Sequence, residues 1–229
     1  MNVRVEQRIA LQEQRAGELA ERVARLLGPF RGDERALDSG CGAGAFAFAL
    51  APHVREVIGV DLSAELIAAG QERAPANVTL IEGDAAALPF DYGDFDLAGC
   101  LRVLHHAQRP ELVVSELARV TRPGGRILVV DQLGHIDPLV SLGLDRFERA
   151  RDPSHTRLLP DTDIRSLLDA NDLVVTTTEV GHEERDLARY LDLVTLTDEE
   201  RRRAEQLAPG PVYEVEIGWY VARKRGHQR

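Results

Sequence analysis

The sequence predicts an α/β protein built on a doubly wound, mostly parallel sheet. Three observations carry this. Short apolar runs alternate with helix-period segments through residues 35–131, the first run opens directly onto a glycine-rich turn, and later runs end in, or just before, an acid. At 229 residues the chain is read as one domain, long enough for a sheet covered on both faces.

The elements follow in order. Residues 3–27 place Ile9, Ala16, Leu19, Val23, Leu26 and Leu27 at roughly a helical period, and Gly28-Pro29 ends that pattern. Arg35 to Leu37 begins a first strand, and Ala36 to Leu50 reads as strand end, glycine turn and a helix from Ala43. Glu56 to Asp61 is a buried second strand ending in a carboxylate; Ser63 then caps a helix from Ala64 to about Arg73. Val78 to Glu82 is a third strand, followed by Gly83-Asp84-Ala85, and a fourth runs from Phe95 to about Leu101. A helix from Pro110 to Arg122 buries Leu112, Val113, Leu117 and Val120, and Pro123-Gly124-Gly125 turns the chain into a fifth strand, Arg126 to Asp131.

Beyond Asp131 the pattern loosens. Leu133 to Pro160 reads as an irregular, partly helical insertion, Asp161 to Ala170 as a helix, and Leu173 to Glu179 as a β-rich run. A second helical insertion over 182–211, with Asp198 as a helix cap, precedes the alternating strand Val212 to Ala222.

The chemistry concentrates in Asp38-Ser39-Gly40-Cys41-Gly42-Ala43-Gly44. The three glycines allow a sharp turn and leave main chain open to a ligand, and the following helix N-terminus favours an anionic group. Asp38 beneath the turn repels phosphate but welcomes an amine. A ligand carrying both charges suits the loop. Asp61, 21 residues after Gly40, has the spacing at which a carboxylate meets ribose hydroxyls. In a doubly wound sheet Gly40 to Gly44, Asp61, Asp84 and His105 all fall at one carboxyl edge.

Composition narrows the partners. A net charge of -10 disfavours nucleic acid, the basic clusters Arg201 to Arg203 and Arg223 to Arg225 reading as a solvated helix face and a charged tail. No apolar run is long enough to span a bilayer, residues 1–27 are too charged for a signal peptide, and two cysteines in apolar sequence, Cys41 and Cys100, suit a reducing cytoplasm. No metal is expected, and nothing in the pattern sets an oligomeric state.

The DSGCGAG turn, GVDLS ending the second strand, GDA at 83–85, LPF with FD at 95–96 and PGG at 123–125 together resemble the class I S-adenosylmethionine-dependent methyltransferases. Within them the chain is most similar to the branch with the ubiquinone and menaquinone biosynthesis enzymes, the methyltransferase type 11-like domain. The likeness covers residues 30–131 well and the rest in topology. It implies a Rossmann-like, seven-stranded, mostly parallel sheet with an antiparallel C-terminal strand, an N-terminal helix over 1–27, a cofactor core over 33–131, and helical lid insertions at 133–160 and 182–211.

The resemblance also implies roles. Asp38, Gly40, Gly42, Ala43 and Gly44 would hold the methionine part of S-adenosylmethionine; Asp61 would take the ribose hydroxyls and Leu62 would pack on the adenine. Asp84 and Ala85 would meet the adenine edge, and the Leu101 backbone the amino group. S-adenosylhomocysteine would be the product and a small molecule the acceptor. His105 and His106 are candidate bases, with Asp131 a candidate facing the acceptor; each can equally be a cap or loop residue. Arg151, His155 and Arg157 can bind an acidic or carbonyl-bearing acceptor, or pair internally through Asp152 and Arg157. Two other functions stay open: a non-catalytic cofactor-binding or regulatory protein, and an NAD(P)-dependent oxidoreductase, since Gly40, Gly42 and Ala45 satisfy the looser dinucleotide pattern.

Overall fold

The structure, a computed structural model, describes the backbone of residues 3–226 and the side chains of residues 10 and 12–226. Ile9 of the first helical stripe therefore lies outside the described side chains. Strands β1 (Arg35–Ser39), β2 (Glu56–Asp61), β3 (Val78–Glu82), β4 (Phe95–Leu101), β5 (Thr121–Gln132), β6 (Leu173–Asp186) and β7 (Val212–Lys224) form one sheet in the order β3-β2-β1-β4-β5-β7-β6. β1 to β5 run parallel, while β7 inserts antiparallel between β5 and β6. The order reverses between β1 and β4. Crossovers leave to opposite sides there, which opens a crevice above the strands' carboxyl ends.

Both faces are covered, and the strand sequences show why. Along β5, Ile127 and Val129 point into one core while Leu128 and Val130 point into the other, so a continuous apolar run is satisfied on both sides. The first core lies under α4 (Pro110–Val120) and α6 (Asp161–Asp169), with Phe95, Leu117, Ile164 and Tyr220 in it. The second lies under α1 (Val3–Leu27), α2 (Ala45–Leu50) and α3 (Ala64–Gln71), with Val23, Leu27, Phe46 and Trp219. Among the described residues no helix is long and apolar enough to cross a membrane.

A third, smaller core sits apart. α5 (Pro138–Arg151), α7 (Leu187–Asp192) and α8 (Asp198–Leu207) meet around Phe147, Leu191 and Ala204, with Tyr190 and Tyr213 alongside. The β6–β7 hairpin reaches this group by pairing as far as Asp186 with Val212, beyond the level of Gln132 with Ile217.

Several boundaries differ from the sequence reading. β6 continues to Asp186, because residues 180–186 find partners along β7, so the second helical block begins at Leu187 rather than 182. α4 stops at Val120, and Pro123-Gly124-Gly125 is an irregularity inside β5 that shifts its register against β4, with Gly124 at φ 75°. α2 starts at Ala45, not Ala43, because Gly44 at φ 91° cannot be a helical turn residue. The cap of α8 is Thr197, not Asp198, in a reciprocal capping box with Glu200.

Candidate functional site

The glycine turn is built by β1 and closed by β2. Gly40 and Cys41 both donate their backbone N–H to the Val60 carbonyl, at 2.7 and 3.0 Å, and Gly40, Gly42 and Gly44 all take left-handed φ values. The two end glycines are needed for space as well: a Cβ on Gly40 would lie 2.4 Å from Val103, and one on Gly44 2.7 Å from the Phe48 ring. Gly42 differs. A Cβ there would meet only Leu66, at 3.9 Å, so the main chain at Gly42 faces open space. Ala43 turns its methyl into a small cluster with Ala69 and Leu66, leaving only its backbone for a ligand.

Two carboxylates hold this turn. Asp38, 1% exposed, accepts a hydrogen bond from the Ala47 N–H of α2 at 2.9 Å. Burial pushes its carboxyl up to about 7, with the Asp61 charge adding to the rise and the Ala47 N–H opposing it. Asp61 accepts from Gly42 N–H at 2.8 Å and from Ser63 N–H at 2.9 Å, bracing the turn against the β2–α3 connection. The sequence reading pointed free amides from this helix at the ligand. The structure narrows that, since the amides of Ala47, Gly42 and Gly44 are taken by Asp38, Asp61 and the Cys41 carbonyl. Leu62 stands 71% exposed beside Asp61. Past β3, Asp84 is exposed and accepts from Ala86 N–H at 2.8 Å, while Ala85 packs at the edge of the first core. Leu101 ends β4 with its side chain in the second core.

The segment after β4 forms a histidine cluster. His105 Nδ1 bonds Asp131 Oδ1, and the His105 amide donates to Asp131 Oδ2 at 3.2 Å. Asp131 is 1% exposed and backs His105. Burial works to raise its carboxyl, but the His105 imidazole, with the amides of Gln132 and His105, holds it below the usual carboxylate range. The His106 ring stacks obliquely 4.1 Å from that of His105 and exchanges a 2.9 Å bond with Ser154 Oγ. Burial and the neighbouring His105 push its imidazole down to about 4. His155 stands 5.7 Å from the His105 ring, but it is 4% exposed and bonds Asp145 at 2.9 Å.

A family profile described as a methyltransferase domain matches residues 37–129. YcgJ of Bacillus subtilis, an uncharacterised methyltransferase, is 37% identical over 147 residues, covering 62% of this chain and 58% of that one. The YafE protein of Escherichia coli is 30% identical over 141 residues, 60% of this chain and 68% of that one. The chain belongs to the methyltransferase-domain family. A demethylmenaquinone methyltransferase of Clavibacter sepedonicus is 34% identical over 137 residues, 59% of this chain and 56% of that enzyme. The matches thus span a little over half the length of YcgJ and of the Clavibacter enzyme. The crystal structure of YcgJ shares the fold, with a TM-score of 0.84, 24% identity, and coverage of 93% of this chain and 99% of that one.

The remaining sequence candidates separate in the structure. Arg151 is drawn into the third core: it pairs with buried Glu148 at 3.2 Å and lies 4.0 Å over the Tyr190 ring, which Arg185 also approaches at 4.4 Å. Its sequence-predicted place on the acceptor side gives way to this ion pair. Arg157 is exposed, and Asp152 accepts from the Ser154 amide and hydroxyl. What sequence reasoning missed is the clamp between these segments. The amide and hydroxyl of Thr156 both donate to the His105 carbonyl at 2.8 Å, and the hydroxyl reaches the Ala107 carbonyl at 3.0 Å. It also missed Arg102, a non-glycine residue at φ 59° that directly follows Leu101.

Proposed function

We propose that the chain transfers a methyl group from S-adenosylmethionine to a small-molecule acceptor, with His105 as the base wherever that acceptor must lose a proton. The observation that carries this reading is one sheet edge where two acids, Asp38 and Asp61, flank open backbone at Gly42, with Leu62 exposed beside them. Asp38 suits the ammonium of the methionine part, and the Gly40 to Gly44 backbone, with that of Leu101, lines it. Each Asp61 oxygen accepts one amide and keeps a lone pair for a ribose hydroxyl. Leu62 offers an apolar surface for the adenine, and Asp84 with the Ala85 backbone meets the base's edge.

The cofactor, when bound, supplies an electrophilic methyl on sulfur. The protein's part is to align the acceptor and exclude water, a positioning effect that reaches about 7–11 kcal/mol in favourable cases. Asp131 stays ionised and accepts the Nδ1–H of His105; in the neutral tautomer this bond selects, Nε2 is the nitrogen that can take an acceptor proton. His106 is a weak base, since burial and the neighbouring His105 push its imidazole down to about 4. The helices over 138–151 and 187–207 are proposed to form the lid, and exposed Arg157 suits an acceptor carrying an acidic group.

Calorimetric titration with S-adenosylmethionine and S-adenosylhomocysteine, with NAD and NADP as controls, tests this. Micromolar binding of the first pair, weakened at least about a hundredfold in Asp61→Ala through loss of charge-assisted bonds, is the expected result. Binding to a nicotinamide cofactor alone sinks the proposal. Cofactor binding without methylation of any acceptor in a broad panel favours a non-catalytic protein.

A further inference from the structure

We infer that Arg102 is a carboxylate-binding residue of the cofactor site, held by Glu183 until the cofactor's methionine carboxylate takes that place. The inference rests on the cofactor reading above and adds to it a residue that no part of the glycine turn supplies. Arg102 occupies a left-handed conformation that a non-glycine residue keeps only when its surroundings impose it, here at the end of β4 with its N–H donated to the Val130 carbonyl at 2.7 Å. That places it one residue beyond the Leu101 backbone and one before Val103, whose side chain presses on Gly40 of the turn.

Its present partner comes from far across the sheet. Arg102 Nη2 lies 2.7 Å from Glu183 Oε1, although β4 and β6 are three strand spacings apart, about 14 Å. The two long side chains meet over the carboxyl edge between those strands. Arg15 of α1 reaches the same Glu183 oxygen at 3.4 Å, and Arg185 adds a third cation nearby. One carboxylate therefore answers several guanidiniums, and the Arg102–Glu183 pair keeps about a third of its side-chain surface exposed, open to exchange. Across the same edge stand Asp38 and Asp61. Acids on one side and an exchangeable guanidinium on the other match the two charges of an amino-acid end group, ammonium toward Asp38 and carboxylate toward Arg102.

The test compares S-adenosylhomocysteine with its decarboxylated analogue, which has the same adenosine, thioether and amine, by calorimetry on the full chain. Wild type should prefer the carboxylate-bearing compound by about tenfold or more. Arg102→Gln should erase that preference and bind both compounds equally. Glu183→Gln, which removes the competing carboxylate and leaves the fold's β6–β7 pairing in place, should tighten S-adenosylhomocysteine several-fold and leave the analogue unchanged. Preference undiminished in Arg102→Gln, or no gain in Glu183→Gln, overturns the inference while the cofactor reading stands. Failure of wild type to bind either compound overturns the cofactor reading itself.

Discussion

The two ends of the sheet hold themselves together by different means. On the β1–β2–β4 side the site is shaped by backbone: three left-handed glycines, amides bonded to Asp38 and Asp61, and a Val60 carbonyl that anchors the turn. On the β6–β7 side the third core is shaped by side chains: Glu148 buried among Arg151, Arg185 and Tyr190, with the tyrosine ring between two guanidiniums. A backbone site recognises whatever presents the right polar groups and tolerates little sequence change. A side-chain site can be rebuilt without disturbing the sheet. The contrast suits the proposed function, in which one side would bind a constant cofactor and the other an acceptor particular to the enzyme.

The sharpest break runs along the seam, where the Thr156 clamp joins the segment after α5 to His105. Once an acceptor that must lose a proton is in hand, His105→Gln is expected to lower the rate of methyl transfer by about 10²–10⁴ with cofactor affinity unchanged. Asp131→Asn should follow in the same direction, because the Nδ1 proton loses its ionised acceptor. An unaltered rate in both variants removes the dyad from the chemistry. Next comes Glu148→Ala. It leaves two buried guanidiniums without their carboxylate, at a cost of about 3–5 kcal/mol. Hydrogen exchange should rise across residues 138–151 and 187–207, with little change over residues 35–61. Uniform loss of protection would show that the two ends are one cooperative unit.

This difference also explains what was legible in the sequence. The turn, the β2 acid and the strand order follow from near neighbours: Gly42 meets Asp61 only 19 residues away, and Ala47 meets Asp38 nine away. Such contacts leave a spacing that can be read. Glu179 meets Arg22 across 157 residues, and Glu183 meets Arg15 across 168. Nothing local in either segment announces those pairs. Arg151 looked free for an acceptor because Glu148, three residues earlier, reads as ordinary helix surface until Arg185 and Tyr190 arrive from β6 and α7 to bury it. The extent of β6 was hidden for a similar reason: residues 181–186 are strand because β7 is beside them, and their own composition of Gly, His, Glu, Arg and Asp does not ask for it. Arg102 carried no signal either, since left-handed backbone in an arginine leaves no compositional trace.

Asp38 distinguishes the two ends through pH. Its carboxyl is raised in the folded protein from an ordinary 3.8 to about 7, so between those values the native state holds a proton that the unfolded chain has released. Stability from this group is present below about pH 4 and is lost as pH rises toward 7. A ligand ammonium instead requires the ionised form, so affinity for S-adenosylhomocysteine should fall as pH drops below 7, by up to about tenfold per unit. Melting of the free protein and calorimetry of binding from pH 5.5 to 8 should therefore slope in opposite directions, both flattened in Asp38→Asn. Parallel slopes would remove Asp38 from ammonium recognition. The Glu148 core should not follow this profile, because its arginines hold that carboxyl below the usual range despite the opposing effect of burial.

The smallest expected effect asks how far the third core depends on its own helices. α8 is strongly polar, buries only Ala204 among its residues, and begins with the reciprocal Thr197–Glu200 box, whose two backbone bonds measure 2.8 and 3.3 Å. A helix with so little apolar surface draws much of its stability from its cap. Thr197→Ala should cost about 1 kcal/mol, appearing as faster exchange confined to residues 198–207. If α8 is a passive outer layer, the turnover number and the affinity for cofactor stay as they are. If it holds α5 over the acceptor, the Michaelis constant for the acceptor rises while cofactor affinity does not, because among the described residues the glycine turn and its acids bond to β2, the β2–α3 connection and α2, not to α8.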